Sequence, residues 1–163
     1  MNRASGILMP ITSLPSPYGI GTIGKAAYEF ADFLKKAGQS YWQILPVGPT
    51  SYGDSPYQSF STYAGNPYMI DLDMLQQDGL LKKKDYRNLN WGDDPEHVDY
   101  ARIYELRFRV LRIAFNNAQK GDLTDFNNFV RKNSAWLENY ALYMAVKKSF
   151  GMRAWTEWED EGI

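Results

Sequence analysis

The sequence predicts an α/β fold with parallel strand pairing, followed by a helical half. Three observations carry this. Two short apolar runs, GILMPI at 6–11 and YWQILPV at 41–47, flank a stretch of helical periodicity, so strand, helix and strand follow within about 40 residues, the order of a right-handed β-α-β crossover. Seven of the eight prolines lie at or before Pro67 and none falls between Asp99 and Gly151, which parts a strand-and-loop half from a helical one. After Val47 comes GPTSYGDSPYQSFSTYAGNPYMIDL, about 25 residues where a strand-to-helix connection usually takes two to six.

Each element has a local reason. GILMPI is bounded by turn residues and suits a buried strand, and the Pro/Gly loop TSLPSPYGIGTIG follows it. In GKAAYEFADFLKKAG the residues Ala26, Phe30, Phe33, Leu34 and Ala37 recur at three- and four-residue steps, with Gly38 placed as a C-terminal cap after Lys35 and Lys36. YWQILPV reads as a second buried strand. The long loop is expected to be ordered and to carry a site, because four tyrosines and Phe60 are rarely kept in solvent-swollen chain. The KKKD run at 82–85 reads as a solvated turn or helix start. From Val98 onward Ile103, Leu106, Val110, Leu111, Ala114 and Phe115 mark an apolar helix ending near Gly121. A short helix holds Leu123, Phe126, Phe129 and Val130 and stops at Asn133, where Ser134 can cap a longer one running to Gly151.

Composition excludes several functions. Eighteen Lys+Arg against nineteen Asp+Glu leave a formal charge of −1, so no long-range field draws in nucleic acid or an anionic bilayer. With no cysteine and with His97 as the one histidine, thiolate chemistry, a Cys-ligated zinc and a Ser-His-Asp triad fall away, and neither a metal nor a cofactor is expected. The N-terminal apolar run is cut by Pro10, too short for a signal segment or a membrane span, so the expectation is a soluble, cytoplasmic protein. Aromatic residues make up 15% of the chain and twelve are tyrosine, rings with a polar tip that suit sugars, whose faces offer C–H groups and whose edges offer hydroxyls.

The titratable residues read most simply as structural. Asp54, beside Gly53 and before Ser-Pro, is a turn former. Asp71 and Asp73 read as solvated or helix-capping, His97 as a surface or capping residue, and Arg102, Arg107 and Arg109 share a helix without need to converge. Ser13 and Ser55 sit in no nucleophile elbow. Gly19, Gly21 and Gly24 match the spacing of a dinucleotide fingerprint, but Ser-Leu-Pro-Ser-Pro-Tyr separates them from the strand, so the tight turn that seats a pyrophosphate is missing. The tyrosine loop remains: Tyr52, Tyr57, Tyr63 and Tyr68 follow the second strand, and loops after strand C-termini line the active face of parallel β/α architectures. Tyr63 and Tyr68 are expected to cover a core, Tyr57 less so.

TSLPSPYGIGTIG, YWQILPVGPTSYGDSPYQSFSTYAGNPYMIDL and ENYALYMAVK resemble the opening part of the amylomaltase family, the 4-α-glucanotransferases of glycoside hydrolase family 77 and their plant disproportionating counterparts. The resemblance runs over essentially the whole chain. It implies the N-terminal part of a (β/α)8 TIM barrel with an α-helical insertion subdomain, residues 1–75 giving the first β/α units and the substrate-binding loop and 76–163 the mainly helical insertion. A complete barrel needs about 250 residues, so it cannot close within this length.

The implied reaction is transfer of α-1,4-glucan segments among maltooligosaccharides, amylose and starch by retaining double displacement, with an Asp nucleophile and a Glu acid/base. In the family these carboxylates, and a third Asp, lie on later strands, so no catalytic residue is expected in this chain. Ser55 and Tyr57 match positions contacting sugar near the cleavage point. Tyr52 and Tyr104 match a secondary glucan site. An isolated chain with uncovered sheet edges is expected to aggregate, or to be ordered by the remaining part of the barrel or another copy. The competing readings are a non-catalytic α-glucan-binding module and a structural remnant without ligand.

Overall fold

A computed structural model describes residues 3–50 and 53–159. Gly6–Leu8 forms β1 and Tyr41–Gln43 forms β2. They pair in parallel, with Gly6 opposite Tyr41, Ile7 opposite Trp42 and Leu8 opposite Gln43. Between them α1 spans Lys25–Lys36, ending at Gly38, whose φ of +68° is the left-handed turn that glycine adopts without strain. Both strands are shorter than the apolar runs, because Pro10 starts a 3-10 turn over Ile11–Ser13 and the sequence after Gln43 leaves the ladder before Pro46.

The expected burial of the strands is corrected. Leu8 is 55% and Tyr41 66% exposed, and Ile7, Ile44 and Val47 are also exposed. Two strands with one helix against them leave apolar strand residues without a cover among the described residues. Helix α1 buries Ala27 and Leu34 and half-buries Phe30, whose ring meets the Trp42 ring edge-on at 5.0 Å. Phe33, expected on the same stripe, points outward at 58% exposure. Trp42 Nε1 donates to the Met9 carbonyl at 2.8 Å, fixing the second strand to the exit of the first.

Helix α2 spans Leu72–Gln77, and α3 spans Tyr100–Ala118, capped by the Asp99 carboxylate, which accepts from the Arg102 amide at 3.1 Å. Their apolar faces meet the first loop in one core of Tyr18, Ile20, Tyr68, Leu72, Leu81, Tyr86, Trp91, Ile103, Val110 and Ala114. One core thus joins residues on both sides of residue 75, and the chain's compact units are Met1–Asp122 and Leu123–Ile163. The KKKD segment folds as the expected turn, with the Asp85 carboxylate accepting from the Lys82 amide at 2.8 Å.

The second unit holds α4 at Thr124–Lys132 and α5 at Ser134–Ser149. Asn133, rather than Ser134, is the junction: its amide nitrogen donates to the Phe129 carbonyl at 2.8 Å and its amide oxygen accepts from Trp136 Nε1 at 3.1 Å. Trp158 stacks on Phe150 at 5.4 Å, and buried Lys147 donates to the Arg153 carbonyl at 2.8 Å.

Candidate functional site

The loop from Gly48 to Asn66 is tied at its base and stapled inside. The Asn66 amide donates to the Val47 carbonyl at 2.8 Å, joining the two ends. Asn66 is itself buried, and its side-chain oxygen accepts from the Tyr68 amide at 2.9 Å, starting the turn Pro67–Met69. Thr50 and Ser59 form an isolated antiparallel bridge across the loop. Serine hydroxyls hold the rest: Ser59 Oγ donates to the Ser61 carbonyl at 2.7 Å, and Ser61 Oγ accepts from the amides of Tyr63 and Ala64. Polar turn residues thus do the work that a hydrophobic core does elsewhere.

On this frame Tyr57 is presented to solvent, 73% exposed, directly after Pro56. Ser55 sits half-buried beside it, with Ser55 Oγ accepting from the Tyr57 amide at 3.4 Å and the Ser55 carbonyl accepting from the Gln58 amide at 3.1 Å. Tyr63, expected to cover a core, is 72% exposed. Tyr68 does fill the core, and burial together with the Asp54 charge pushes its hydroxyl up to about 12.

Tyr104 lies on α3 and is partly exposed. Its ring meets Phe108 edge-on at 5.3 Å, Phe108 meets Tyr68 at 6.0 Å, and Tyr68 meets Tyr100 at 6.4 Å. Burial, and after it the charge of Asp54, raises the hydroxyl pKa of Tyr100 as it does that of Tyr68, and burial raises the pKa of Asp54 itself. Tyr104, Phe108, Tyr68 and Tyr100 therefore form one aromatic cluster, built on α3 and the turn that follows the loop. Tyr52 falls outside the described residues.

The other candidates have structural employment. Asp71 caps α2 through the Met74 amide at 2.9 Å and accepts from Thr22 Oγ1 at 2.6 Å. Its carboxylate also lies where a Cβ on Gly24 would fall, at the start of α1. A negative group at that helix N-terminus repels a phosphate, which disposes of the dinucleotide reading. Asp73 Oδ1 accepts from the Tyr18 hydroxyl at 2.8 Å and the Tyr86 hydroxyl at 2.6 Å. His97 is exposed and paired with Asp94 at 2.8 Å. The arginines do not converge: Arg102 bonds Asp93 and Asp99, Arg109 is exposed, and Arg107 is completely buried. No sequence signal distinguished Arg107 or Asp73 beforehand, since the partners of each come from distant segments. Among the described residues no three His, Asp or Glu side chains gather to hold a metal ion, and no helix is long and apolar enough to cross a membrane.

A family profile described as 4-alpha-glucanotransferase matches residues 9–163. A 4-alpha-glucanotransferase of Clostridium butyricum is 52% identical over 94% of this chain and 31% of the relative. One from Streptococcus pneumoniae is 53% identical over 97% of this chain and 32% of the relative. Among solved structures, an amylomaltase from Streptococcus agalactiae in complex with acarbose superposes with a TM-score of 0.94 at 48% identity, covering 99% of this chain and 33% of that one. The chain thus spans about a third of the length of the relatives it matches. At that breadth of match across its own length, the chain belongs to the 4-alpha-glucanotransferase family, glycoside hydrolase family 77.

Proposed function

We propose that these residues form the glucan-holding portion of a 4-α-glucanotransferase, an enzyme that moves α-1,4-glucan segments between maltooligosaccharides or starch chains by retaining double displacement. The observation that carries this is Tyr57: a large aromatic ring held out into solvent on a loop tied by the Asn66–Val47 hydrogen bond and the Thr50–Ser59 bridge. Exposing such a ring forfeits burial, and a sugar face stacked on it with Ser55 at its edge restores the contact. The structural relative bound to acarbose supports a saccharide ligand. On this reading β1, α1 and β2 open a (β/α)8 barrel, and residues 76–163 are a mainly helical insertion. Tyr52 and Tyr104 form a secondary glucan site, and the enzyme works in the cytoplasm. The nucleophile and acid/base carboxylates belong to a part of the family's sequence that this chain does not span.

One observation favours a second reading, a non-catalytic glucan-binding module. Asp71 and Asp73 are held by Thr22 and by Tyr18 and Tyr86, so these two carboxylates serve the fold. Calorimetric titration of the chain with maltotriose and maltoheptaose tests what both readings share: binding that Tyr57→Ala abolishes is expected, and a folded chain that binds neither sugar overturns both. Glucose release from maltotriose, assayed together with the remainder of a family enzyme, separates them.

A further inference from the structure

The tyrosine loop leaves the ordinary backbone regions at a residue that is not glycine. Asp54 has a φ of +55°, next to Gly53 at +92°. Among the described residues only Met152 shares this left-handed conformation without being glycine. Aspartate is tolerated there when its short side chain bonds locally, and Asp54 Oδ1 accepts from Thr50 Oγ1 at 3.4 Å. Thr50 is bridged to Ser59, so the carboxylate closes a small ring inside the loop.

Asp54 also leads directly into the residues proposed to meet sugar. On its C-terminal side are Ser55 and Tyr57, set by the turn that the Gln58 amide makes to the Ser55 carbonyl. The turn that presents Tyr57 thus starts at one left-handed residue.

Resting on the function proposed above, we infer that Asp54 is a positioning residue that sets the Ser55–Tyr57 contact through its backbone bend and its bond to Thr50. Asparagine, which tolerates the same conformation and keeps the acceptor, should replace it; alanine should not.

The test is calorimetric titration of the chain and its variants with maltotriose and with a cycloamylose, beside thermal unfolding. Asp54→Ala is expected to weaken maltotriose by roughly tenfold and cycloamylose by no more than that, the equivalent of one lost hydrogen bond in a placed geometry, while the unfolding temperature falls by only a few degrees. Asp54→Asn is expected to stay within about twofold of the parent, since it keeps that bond. Equal affinities in parent and Asp54→Ala overturn the inference, and so does an Asp54→Asn that fails as badly as alanine. If the parent binds neither sugar, the functional reading fails by itself, and Asp54 is judged on hydrogen exchange at the Gln58 amide. Faster exchange in Asp54→Ala but not in Asp54→Asn supports the positioning role; unchanged exchange overturns it.

Discussion

The Arg107 guanidinium carbon lies 5.3 Å from the centre of the Trp91 ring, with both residues buried. Nη1 donates to the Ile70 carbonyl at 3.4 Å, while Nε and Nη2 have no hydrogen-bond partner among the described residues. Burial pulls the guanidinium down to about 10, against the opposing attraction of Asp71. A cation kept in so dry a place depends on the ring face for much of its compensation.

Replacing that cation by an apolar chain of similar length should therefore cost little. Arg107→Met is expected within about 1 kcal/mol of the parent, or above it, because burying an unpaired charge is itself unfavourable. Arg107→Ala should lose about 3 kcal/mol through the cavity it opens. Urea unfolding checks both; equal losses would show that the charge itself stabilises the fold.

Alkaline pH should weaken the protein. The hydroxyls of Tyr18, Tyr68, Tyr86, Tyr100 and Tyr140 are all pushed above their ordinary value of 10.0, chiefly by burial, and Tyr18 and Tyr86 also by their bonds to Asp73. A raised folded-state pKa means that the native chain holds protons the unfolded chain has lost, so this stability is intact below pH 10 and drains away as pH climbs through the folded values. Arg107 acts oppositely, shedding its proton first in the folded state, but it is one group against five. The urea midpoint should fall between about pH 9 and pH 11, and a flat profile contradicts this.

Gly21 has no room for a side chain. A Cβ there would land on the Ile11 carbonyl oxygen and within 2.8 Å of the Leu14 backbone nitrogen and oxygen. Gly21→Ala should cost about 3 kcal/mol by forcing two backbone segments apart. At Gly65 nothing lies within 4 Å and φ is not left-handed, so Gly65→Ala should shift stability by less than about 1 kcal/mol, in the stabilising direction. Thermal unfolding of the pair decides it.

Tyr57 and Tyr104 should separate by substrate. In a complete family enzyme carrying these residues, Tyr57→Ala is expected to lower turnover by about 100-fold, because a sugar displaced by an ångström at the reacting carbon reacts poorly. Tyr104→Ala should weaken long or cyclic glucans and spare maltotriose turnover. Equal losses on both substrates for Tyr104→Ala would place that ring elsewhere in the reaction.

The uncovered strand residues should drive association. Leu8 at 55% and Tyr41 at 66% exposure, with Ile7, Ile44 and Val47 nearby in sequence, present apolar surface on a two-stranded sheet with open edges. Sedimentation should show larger species as concentration rises, reduced by Leu8→Lys together with Tyr41→Lys. A single sharp monomer at every concentration rules this out.

How much of this was legible beforehand differed by element. The limits of α1 follow from its periodicity and Gly38, and α3 from its apolar stripe after Val98, because stripes and caps are local, whereas the cap at Asp99 carries no mark in the sequence reading. Strand lengths were overread, since apolar content cannot tell a ladder from the turn that follows it. Spacing predicts Phe33 inward and the apolar ring predicts the same for Tyr63, whereas their exposure depends on what packs opposite. Arg107 was invisible as a buried group because Trp91 and Ile70, which enclose it, come from remote segments. The loop's tyrosines did announce themselves by composition, and its stapling by Ser59, Ser61 and Asn66 did not.

The shared core of the first loop, Tyr68 and α3 also imposes an order on the nascent chain. Tyr68 leaves the ribosome well before Tyr100 and Phe108, the rings it meets, so at about 5–20 residues per second the aromatic loop waits some seconds for its partner helix. During that interval Tyr18, Ile20 and Tyr68 lack Ile103, Val110 and Ala114 to close over them, which makes this stretch a natural client for a chaperone at the exit tunnel. Chains stalled after residue 90 should be cut within the loop by added protease, and chains stalled with α3 fully emerged should resist.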